Sequence, residues 1–225
     1  CAGHSFGEFT AFVVAEAIDF SDAVKLVELR GQYMQQAVPA GEGAMAAILG
    51  LSDDVVRDVC NEASIIGVVE AVNFNSPGQV VIAGSTAAVK KATEIATEKG
   101  AKRALILPVS VPSHCALMRP AAEQLAQKLD EISIHMPTMP VIHNASVTAA
   151  EDVESVKSLL AQQLYSPVRW VETVQWFAAE NVSQLVECGP GKVLAGLTKR
   201  IDKSVNAVPL FDLTTLEKAQ QALGV

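Results

Sequence analysis

The chain has 225 residues, 50% of them hydrophobic, and a formal net charge of −8 at pH 7. This length and apolar content are sufficient to bury one large core or two smaller ones. The acidic balance argues against broad binding of nucleic acid, which needs a basic surface to neutralise phosphates. No apolar run approaches the ~20 residues that a membrane-spanning helix requires. We therefore expect a cytoplasmic protein with neither a membrane nor a nucleic acid as partner.

Four cysteines are spread along the chain and form no C-x-x-C pair. They are Cys1, Cys60, Cys115 and Cys188. Such spacing favours reduced thiols over a disulfide framework or a zinc site.

Hydrophobic periodicity and turn residues predict alternating helices and short strands, the pattern of an α/β protein. Residues 1–42 are predicted to form two helices, 6–17 and 21–37. The next part is predicted to contain, in order, a strand 44–49, a helix 53–63, strands 68–73 and 79–83, a helix 86–99 and a strand 103–109. The remainder is predicted to contain helices 116–132, 153–164, 168–180 and 192–201, a helix from Leu213, and strands 139–144, 184–188 and 206–210.

The order β-α-β-β-α-β is that of a ferredoxin-like unit. It fills residues 43–109 and interrupts a different α/β pattern that resumes afterwards. We therefore predict a large α/β subdomain, residues 1–42 and 110–225, with a small ferredoxin-like subdomain, residues 43–109, inserted into it.

The first candidate for chemistry is Ser5, within Gly3-His4-Ser5-Phe6-Gly7, which fits the pattern G-x-S-x-G. This nucleophile elbow needs small residues on both sides of the serine because backbone segments approach closely there. The hydroxyl would lie at a helix N-terminus, where N–H groups can stabilise an oxyanion. The same serine also begins S-x-x-E through Glu8, which is a capping box. The motif alone leaves nucleophile and helix cap open.

Arg30 falls inside the apolar stripe of the second predicted helix, which otherwise consists of Ala23, Leu26, Val27, Met34 and Ala37. A buried arginine keeps its charge and needs an anion nearby. That anion is either an internal carboxylate such as Glu8 or the carboxylate of a ligand, held by both arms of the guanidinium. A plain esterase does not require the second arrangement.

The candidates for a general base are the four histidines, His4, His114, His135 and His143. His114 follows a predicted strand and precedes a helix, the place where α/β proteins carry active-site groups. As a base it would accept the Ser5 proton and return one to a leaving thiol. A histidine that merely begins a helix is the alternative. No Asp or Glu lies near His114 in the sequence, which favours a backbone carbonyl as the acceptor that orients its ring.

Seven segments carry a family resemblance: GHSFGEF, LVELRGQYMQ, GAMAAILG, NFNSPGQVVIAG, AKRALILPVSVPSHCALM, QLYSPVRW and ECGPGKVL. In this order they resemble the malonyl-CoA:acyl carrier protein transacylases of bacterial fatty-acid synthesis, over nearly the whole chain. The resemblance implies an α/β-hydrolase-like large subdomain with the ferredoxin-like unit inserted.

The resemblance also implies roles for single residues. Ser5 would carry the malonyl group as an ester, His114 would be the base, and Arg30 would hold the malonyl carboxylate. The main-chain carbonyl of Gln163 would orient His114, and the N–H of Phe6 would supply half of the oxyanion hole. The partners implied are malonyl-CoA and acyl carrier protein, and such ping-pong chemistry needs no metal or other cofactor.

Members of that family have, before the elbow, further strands and a Gly-Gln-Gly motif whose glutamine N–H completes the oxyanion hole. This chain begins at Cys1, so we expect a piece of a longer protein. Loss of one oxyanion donor typically costs on the order of 10²–10³ in rate, and we expect the chain on its own to be impaired.

Two other functions stay open from the sequence. A serine hydrolase or thioesterase would pass the acyl group to water, and a non-catalytic fragment would only bind the carrier protein. Two basic clusters are either solvated surface or a dock for an acidic carrier. They are Lys99, Lys102 and Arg103, and Lys199, Arg200 and Lys203.

Overall fold

The computed structural model of the protein describes residues 1–109 and 111–224. Ser110 and Val225, which bound the predicted second segment of the large subdomain, lie outside the described residues. The helices are α1 (Phe6–Val14), α2 (Phe20–Ala37), α3 (Asp53–Ala63), α4 (Thr86–Glu98), α5 (Arg119–Asp130), α6 (Val153–Gln162), α7 (Trp170–Ala179), α8 (Val193–Ile201) and α9 (Leu213–Leu223). The strands are β1 (Gly43–Leu49), β2 (Val69–Ser76), β3 (Gln79–Ser85), β4 (Arg103–Ile106), β5 (Gln184–Cys188) and β6 (Asn206–Leu210).

The predicted strand 139–144 is wrong. Only an isolated parallel bridge, between Ala2 and Ile142, forms there. Pro137 and Pro140 lie beside or inside this segment, and proline has no N–H to donate to a ladder. The segment nevertheless places its last residues beside the start of the chain.

Two predicted helices are divided in the structure. The helix predicted at 116–132 begins with a 3-10 turn, Ala116–Met118, before α5 starts. The helix predicted at 153–164 ends as α6 and continues as a second 3-10 turn, Gln163–Tyr165. Tight turns of this kind are frequent at helix ends, and here they direct the chain toward Ser5.

Strands β1 to β4 form one antiparallel sheet in the order β2-β3-β1-β4. With α3 and α4 packed on it, this is the ferredoxin-like arrangement that the element order predicts. Apolar residues of the strands and of both helices make one core, in which Ile48, Val56, Val80, Ile82 and Val89 are almost fully buried. The exact boundaries at residues 43 and 109 stay a prediction.

A second core joins α1, α2, α5 and α6. Its large residues include Phe12, Leu26, Leu125, Leu129 and Leu160, each at most 2% exposed. Strands β5 and β6 form a separate parallel pair, with α8 between them in the chain. This α-rich core supports the start of α1, where Ser5 lies.

Helix α2 has a buried face that includes Ala23, Leu26 and Met34 and also Arg30. The periodicity of the sequence predicted this face, including its one cation. Among residues 1–109 and 111–224, no helix has both the length and the apolar character that crossing a bilayer would require.

Candidate active site

Ser5 has a strained backbone, with φ of 51° and ψ of −106°. A non-glycine residue in such a region costs roughly 1–3 kcal/mol and persists only where its surroundings enforce it. Gly3 is required sterically, because an added Cβ would lie 1.9 Å from the carbonyl oxygen of Gly7. A Cβ at Gly7 would meet nothing within 4 Å. The close approach predicted for the elbow is therefore confirmed at Gly3, whereas a steric need for glycine at position 7 is wrong.

The capping-box interpretation of Ser5 is wrong as well. The Ser5 side chain makes no capping hydrogen bond to α1, and its main-chain N–H donates to Asn144 Oδ1 at 2.7 Å. Glu8 instead bonds elsewhere: its carboxylate accepts from the Asn144 N–H at 3.1 Å and pairs with His143 Nδ1 at 2.7 Å. The serine hydroxyl is left for other partners.

The Ser5 hydroxyl lies 2.8 Å from His114 Nε2. The other ring nitrogen of His114, Nδ1, lies 2.8 Å from the main-chain oxygen of Gln163. A carbonyl only accepts hydrogen bonds, which places the ring proton on Nδ1 and leaves Nε2 free to accept from the serine. The His114 N–H also donates to Leu164 O at 2.9 Å, so the second 3-10 turn holds both the ring and the backbone of His114.

Burial, the largest cause, and the positive charge of Arg30 together lower the pKa of His114 to about 3. The hydrogen bond to the Gln163 carbonyl opposes this shift. His114 is 2% exposed, and charging an imidazole there is costly. The ring is therefore neutral at pH 7 and able to accept a proton.

Arg30 lies against the same hydroxyl. Its Nη2 donates to Ser5 Oγ at 3.0 Å and to Gln163 Oε1 at 3.2 Å. Its buried Nε has no hydrogen-bond partner among residues 1–109 and 111–224. Burial lowers the Arg30 pKa to about 10, opposed by the charge of Glu8. The group remains a cation at pH 7.

Glu8 is fully buried but does not pair directly with Arg30. The Gln163 amide lies between them: its Nε2 donates to Glu8 Oε2 at 2.9 Å and its Oε1 accepts from Arg30. Among the ion pairs of the described residues, none involves Arg30. The sequence left two partners open for Arg30, Glu8 or a ligand carboxylate. Glu8 balances the Arg30 charge without direct contact, so the guanidinium stays available to a ligand carboxylate.

Phe6 begins α1, and the first N–H groups of a helix have no partner within it. The next two are occupied, since Gly7 N–H donates to His4 O and Glu8 N–H donates to Ser5 O, both at 3.0 Å. The Phe6 N–H lies directly after the serine, where an oxyanion donor is needed.

The remaining histidines take other positions. His4 turns away from Ser5, with Nε2 2.9 Å from Asn75 Oδ1. The His135 N–H donates to Ala17 O at 2.9 Å. His143 is buried against Glu8, with Nδ1 2.7 Å from Glu8 Oε1.

Asn144 is the site residue that the sequence reasoning missed. It contacts Ser5 from a position 139 residues away, and no short motif contains both residues. The pairing of Ala2 with Ile142 brings them together. The sequence predicts a strand at 139–144 but does not indicate which segment pairs with it.

Part of each basic cluster lies in one open groove between the small sheet and α8. Lys102 and Arg200 line it together with Gln79, and Arg200 Nη1 donates to Gln79 Oε1 at 3.2 Å. Lys99, by contrast, pairs with Glu62 at 3.0 Å. The two clusters of the sequence thus meet through one residue of each.

Within the part of the chain that the structure describes, no three His, Cys, Asp or Glu side chains come together so that they could hold a metal ion. Cys60 and Cys115 are buried free thiols, and Cys1 and Cys188 are exposed free thiols.

A strained serine at the start of a helix, a neutral imidazole on its hydroxyl and a carbonyl on the far ring nitrogen define the class of serine-dependent α/β acyl-transfer proteins and hydrolases. The comparison with known proteins decides within that class. Residues 1–221 match the Acyl transferase domain family, and the chain belongs to this family.

Several similar proteins are bacterial transacylases. The chain is 54% identical to the malonyl CoA-acyl carrier protein transacylase of Haemophilus influenzae over 99% of this chain and 71% of that protein. Its fold matches the crystal structure of the acyl-carrier-protein S-malonyltransferase of Burkholderia pseudomallei with a TM-score of 0.96 and 55% identity, over 98% of this chain and 72% of that one. A malonyl-transacylase solved in complex with a type II PKS acyl-carrier protein matches with a TM-score of 0.96 and 50% identity, over 98% and 72% of the chains. These matches confirm the predicted fold class.

Proposed function

We propose that the protein is an acyltransferase that moves a malonyl group from coenzyme A to the phosphopantetheine thiol of acyl carrier protein, in fatty-acid biosynthesis. The observation that carries this function is the buried Arg30 guanidinium 3.0 Å from Ser5 Oγ. A cation beside the nucleophile, free of any ion pair in the described chain, suits an acyl group that ends in a carboxylate. The match to transacylases over nearly the whole chain supports the same activity.

In the first half-reaction, Ser5 Oγ attacks the thioester carbonyl while His114 Nε2 accepts its proton. The negative charge that develops on the carbonyl oxygen is stabilised by the Phe6 N–H. The C–S bond then breaks, and His114 returns the proton to the sulfur of coenzyme A. Malonyl remains as an ester on Ser5.

In the second half-reaction, the carrier thiol gives its proton to His114 and attacks the ester carbonyl. The C–O bond to Ser5 breaks, and His114 reprotonates Oγ. The Gln163 carbonyl keeps the His114 ring in the required tautomer throughout. Each proton and each leaving group is accounted for by the chain and its two thiols, and we propose that no cofactor takes part.

The carrier protein would approach the groove lined by Lys102 and Arg200. Carriers of this pathway are acidic, and opposite charge guides such partners into register. The neighbouring Lys199 is exposed on α8 and enlarges the basic surface.

Mass spectrometry of the full-length protein mixed with malonyl-CoA tests the function. We expect a malonyl adduct on Ser5 that disappears when acyl carrier protein is added and reappears on the carrier thiol. The Ser5→Ala variant should remain unmodified. Release of free malonate instead of transfer would identify a thioesterase, and absence of an adduct would leave a protein that only binds the carrier.

A further inference from the structure

Asn144 forms two hydrogen bonds with the nucleophile turn and is 1% exposed. Its Oδ1 accepts from the Ser5 N–H at 2.7 Å, and its Nδ2 donates to the Gly3 carbonyl at 2.7 Å. We propose that Asn144 is a positioning residue that holds Ser5 in its strained, positive-φ conformation, acting on the nucleophile through the main chain. This inference rests on the proposed function and names a residue for which that function gives no role.

An amide is the side chain that matches this turn. It presents one acceptor and one donor at a fixed spacing, and the turn presents the N–H of Ser5 and the carbonyl of Gly3. A side chain that lacks either group would leave a buried main-chain group unpaired, which is costly. The Ser5 N–H is thereby occupied, and the oxyanion must be served by other donors.

Asn144 is itself held in place by its main chain. Its N–H donates to Glu8 Oε2 at 3.1 Å, and its carbonyl accepts from the Arg169 N–H at 3.1 Å. The other oxygen of Glu8 pairs with His143 Nδ1. The buried Glu8 of α1 therefore holds Asn144 in place, and Asn144 in turn holds the turn at which α1 begins.

An aspartate at this position separates positioning from simple packing. The neutral acid of Asn144→Asp keeps one acceptor and one donor, as the amide does. The ionised form loses the donor and repels the Gly3 carbonyl. Burial and the neighbouring Glu8 carboxylate raise the pKa of such an acid above its ordinary value of about 3.9. The variant should therefore regain a working elbow as the pH falls.

Several charged or titratable groups surround this position. They are Glu8 on α1, Arg30 on α2, and His4, His114, His143 and Arg169 around them. Glu8 opposes ionisation of the Asp in Asn144→Asp, and Arg30 favours it. The pKa of that Asp therefore depends on both groups, but in either case the neutral acid is the form that supports the faster reaction. His114 remains neutral above pH 5, because its pKa is about 3.

The experiment measures the acylation rate of Ser5 by malonyl-CoA between pH 5.5 and 8.5 in the full-length protein. Wild type should be nearly flat with pH. Asn144→Asp should be slower by about 10²-fold at pH 8, the cost of a misplaced reacting group, and should recover at least about tenfold by pH 5.5. Asn144→Ala should be slow at every pH, and the KM for malonyl-CoA should change in neither variant.

Asn73→Asp is a matched control, because Asn73 is also buried and lies on β2. Its backbone is bridged to Val168 beside Arg169, but within residues 1–109 and 111–224 its side chain bonds none of Ser5, Gly3 and Glu8. It should keep the pH profile of wild type. Parallel profiles for Asn144→Asp and Asn144→Ala would overturn the proposal, as would a wild-type rate for Asn144→Asp at pH 8. If the aspartate variant does not fold, folded Asn144→Ala decides: a lowered rate with unchanged KM supports the proposal, and an unchanged rate overturns it.

A fluorophosphonate probe that labels activated serines supplies a readout independent of the acyl donor. For each of wild type, Asn144→Asp and Asn144→Ala, the labelling rate of Ser5 should show the pH dependence predicted above for the acylation rate of that protein. If wild type forms no malonyl ester yet is labelled by the probe, the proposed function fails while the inference on Asn144 is still measured. Equal labelling of wild type and Asn144→Ala would overturn the inference alone.

Discussion

The Ser5 hydroxyl lies between a base and a cation. His114 Nε2 is 2.8 Å away and Arg30 Nη2 is 3.0 Å away. In the proposed reaction the cation would stabilise an alkoxide that develops on Oγ. The same charge, second to burial, lowers the pKa of His114 and would weaken it as a base. A substrate carboxylate bound to Arg30 would offset that charge, so malonyl itself should improve the base that acts on it.

This coupling predicts that kcat and kcat/KM are lost at different pH values as the pH falls. His114 must be neutral to accept a proton, so rate is lost only as the pH falls through its pKa. With a pKa of about 3 in the free protein, kcat/KM should stay flat from pH 8 down to about pH 5. In the malonyl-CoA complex the pKa should be higher, so the limb of kcat should lie at higher pH than that of kcat/KM.

Steady-state kinetics with malonyl-CoA from pH 4.5 to 8 checks this order. Folding must be monitored in parallel, since the unfolded chain protonates His114 near pH 6.5 and the folded chain does so only near 3. Stability therefore decreases as the pH falls from about 6.5 toward 3. An acid limb of kcat/KM near pH 6.5 in folded protein would contradict the assigned environment of His114.

How well these residues could be predicted depends on how local their signals are. Ser5 stands in a five-residue motif, and Arg30 interrupts an apolar stripe at helical spacing, so both are visible in the sequence. Asn144 and the amide of Gln163 act through contacts that span 139 and 155 residues. Such contacts arise from packing, and no property of the neighbouring residues indicates them.

At the scale of elements, the start of α1 depends on a close approach between two glycines. The carbonyl of Gly7 occupies the space where a side chain at position 3 would lie. The motif predicted that both glycines are needed, but the structure places the constraint on one of them. Which glycine is constrained depends on the direction in which a Cα–Cβ bond would point at each position. The sequence motif carries no information about that direction.

The pair Gly3→Ala and Gly7→Ala tests this asymmetry. Gly3→Ala forces a backbone shift at the elbow and should lower the free energy of unfolding by about 2 kcal/mol or more, as strain and overpacking do. Gly7→Ala lies in a helix and should be neutral or stabilising by about 0.5–1 kcal/mol. Urea denaturation of both variants measures the difference. Equal destabilisation would mean that the turn is not packed as described.

Element boundaries were predicted correctly at α3, β5 and β6. The segment 139–144 was misassigned because its apolar residues favour a strand, while Pro140 within it has no N–H to donate to a ladder. Its single bridge to Ala2 shows that a segment can position a site residue without forming a strand.

At the scale of the whole molecule, one groove is lined by residues that lie far apart in the chain. Gln79 of β3 and Lys102, which directly precedes β4, lie there beside Arg200 of α8. Each basic cluster contributes one residue to the lining of the groove, Lys102 and Arg200. Lys99 of the first cluster is instead paired with Glu62. A dock for an acidic carrier would therefore combine selected residues from both parts of the chain.

Charge reversal tests this dock. The double variant Lys199→Glu with Arg200→Glu, and separately Lys102→Glu, should raise the KM for carrier protein about three- to tenfold, the range expected for exposed ion pairs. The effect should shrink at high salt, and acylation by malonyl-CoA should be unchanged. Lys90→Glu, an exposed change on α4, is the control and should alter neither. Equal changes for carrier and coenzyme A would exclude the groove as the dock.

The central claim is that Arg30 holds the free carboxylate of the acyl group while Ser5 attacks its thioester. The most direct measurement is the rate of Ser5 acylation by malonyl-CoA and by acetyl-CoA, in wild type and in Arg30→Ala. We expect the preference for malonyl to fall by about 10²-fold in the variant, the scale of a charge-assisted contact of about 3 kcal/mol. Acetyl transfer should change little, because the loss of the Arg30 charge beside Ser5 Oγ is opposed by the higher pKa that His114 then has as a base. An equal loss for both thioesters would contradict the claim.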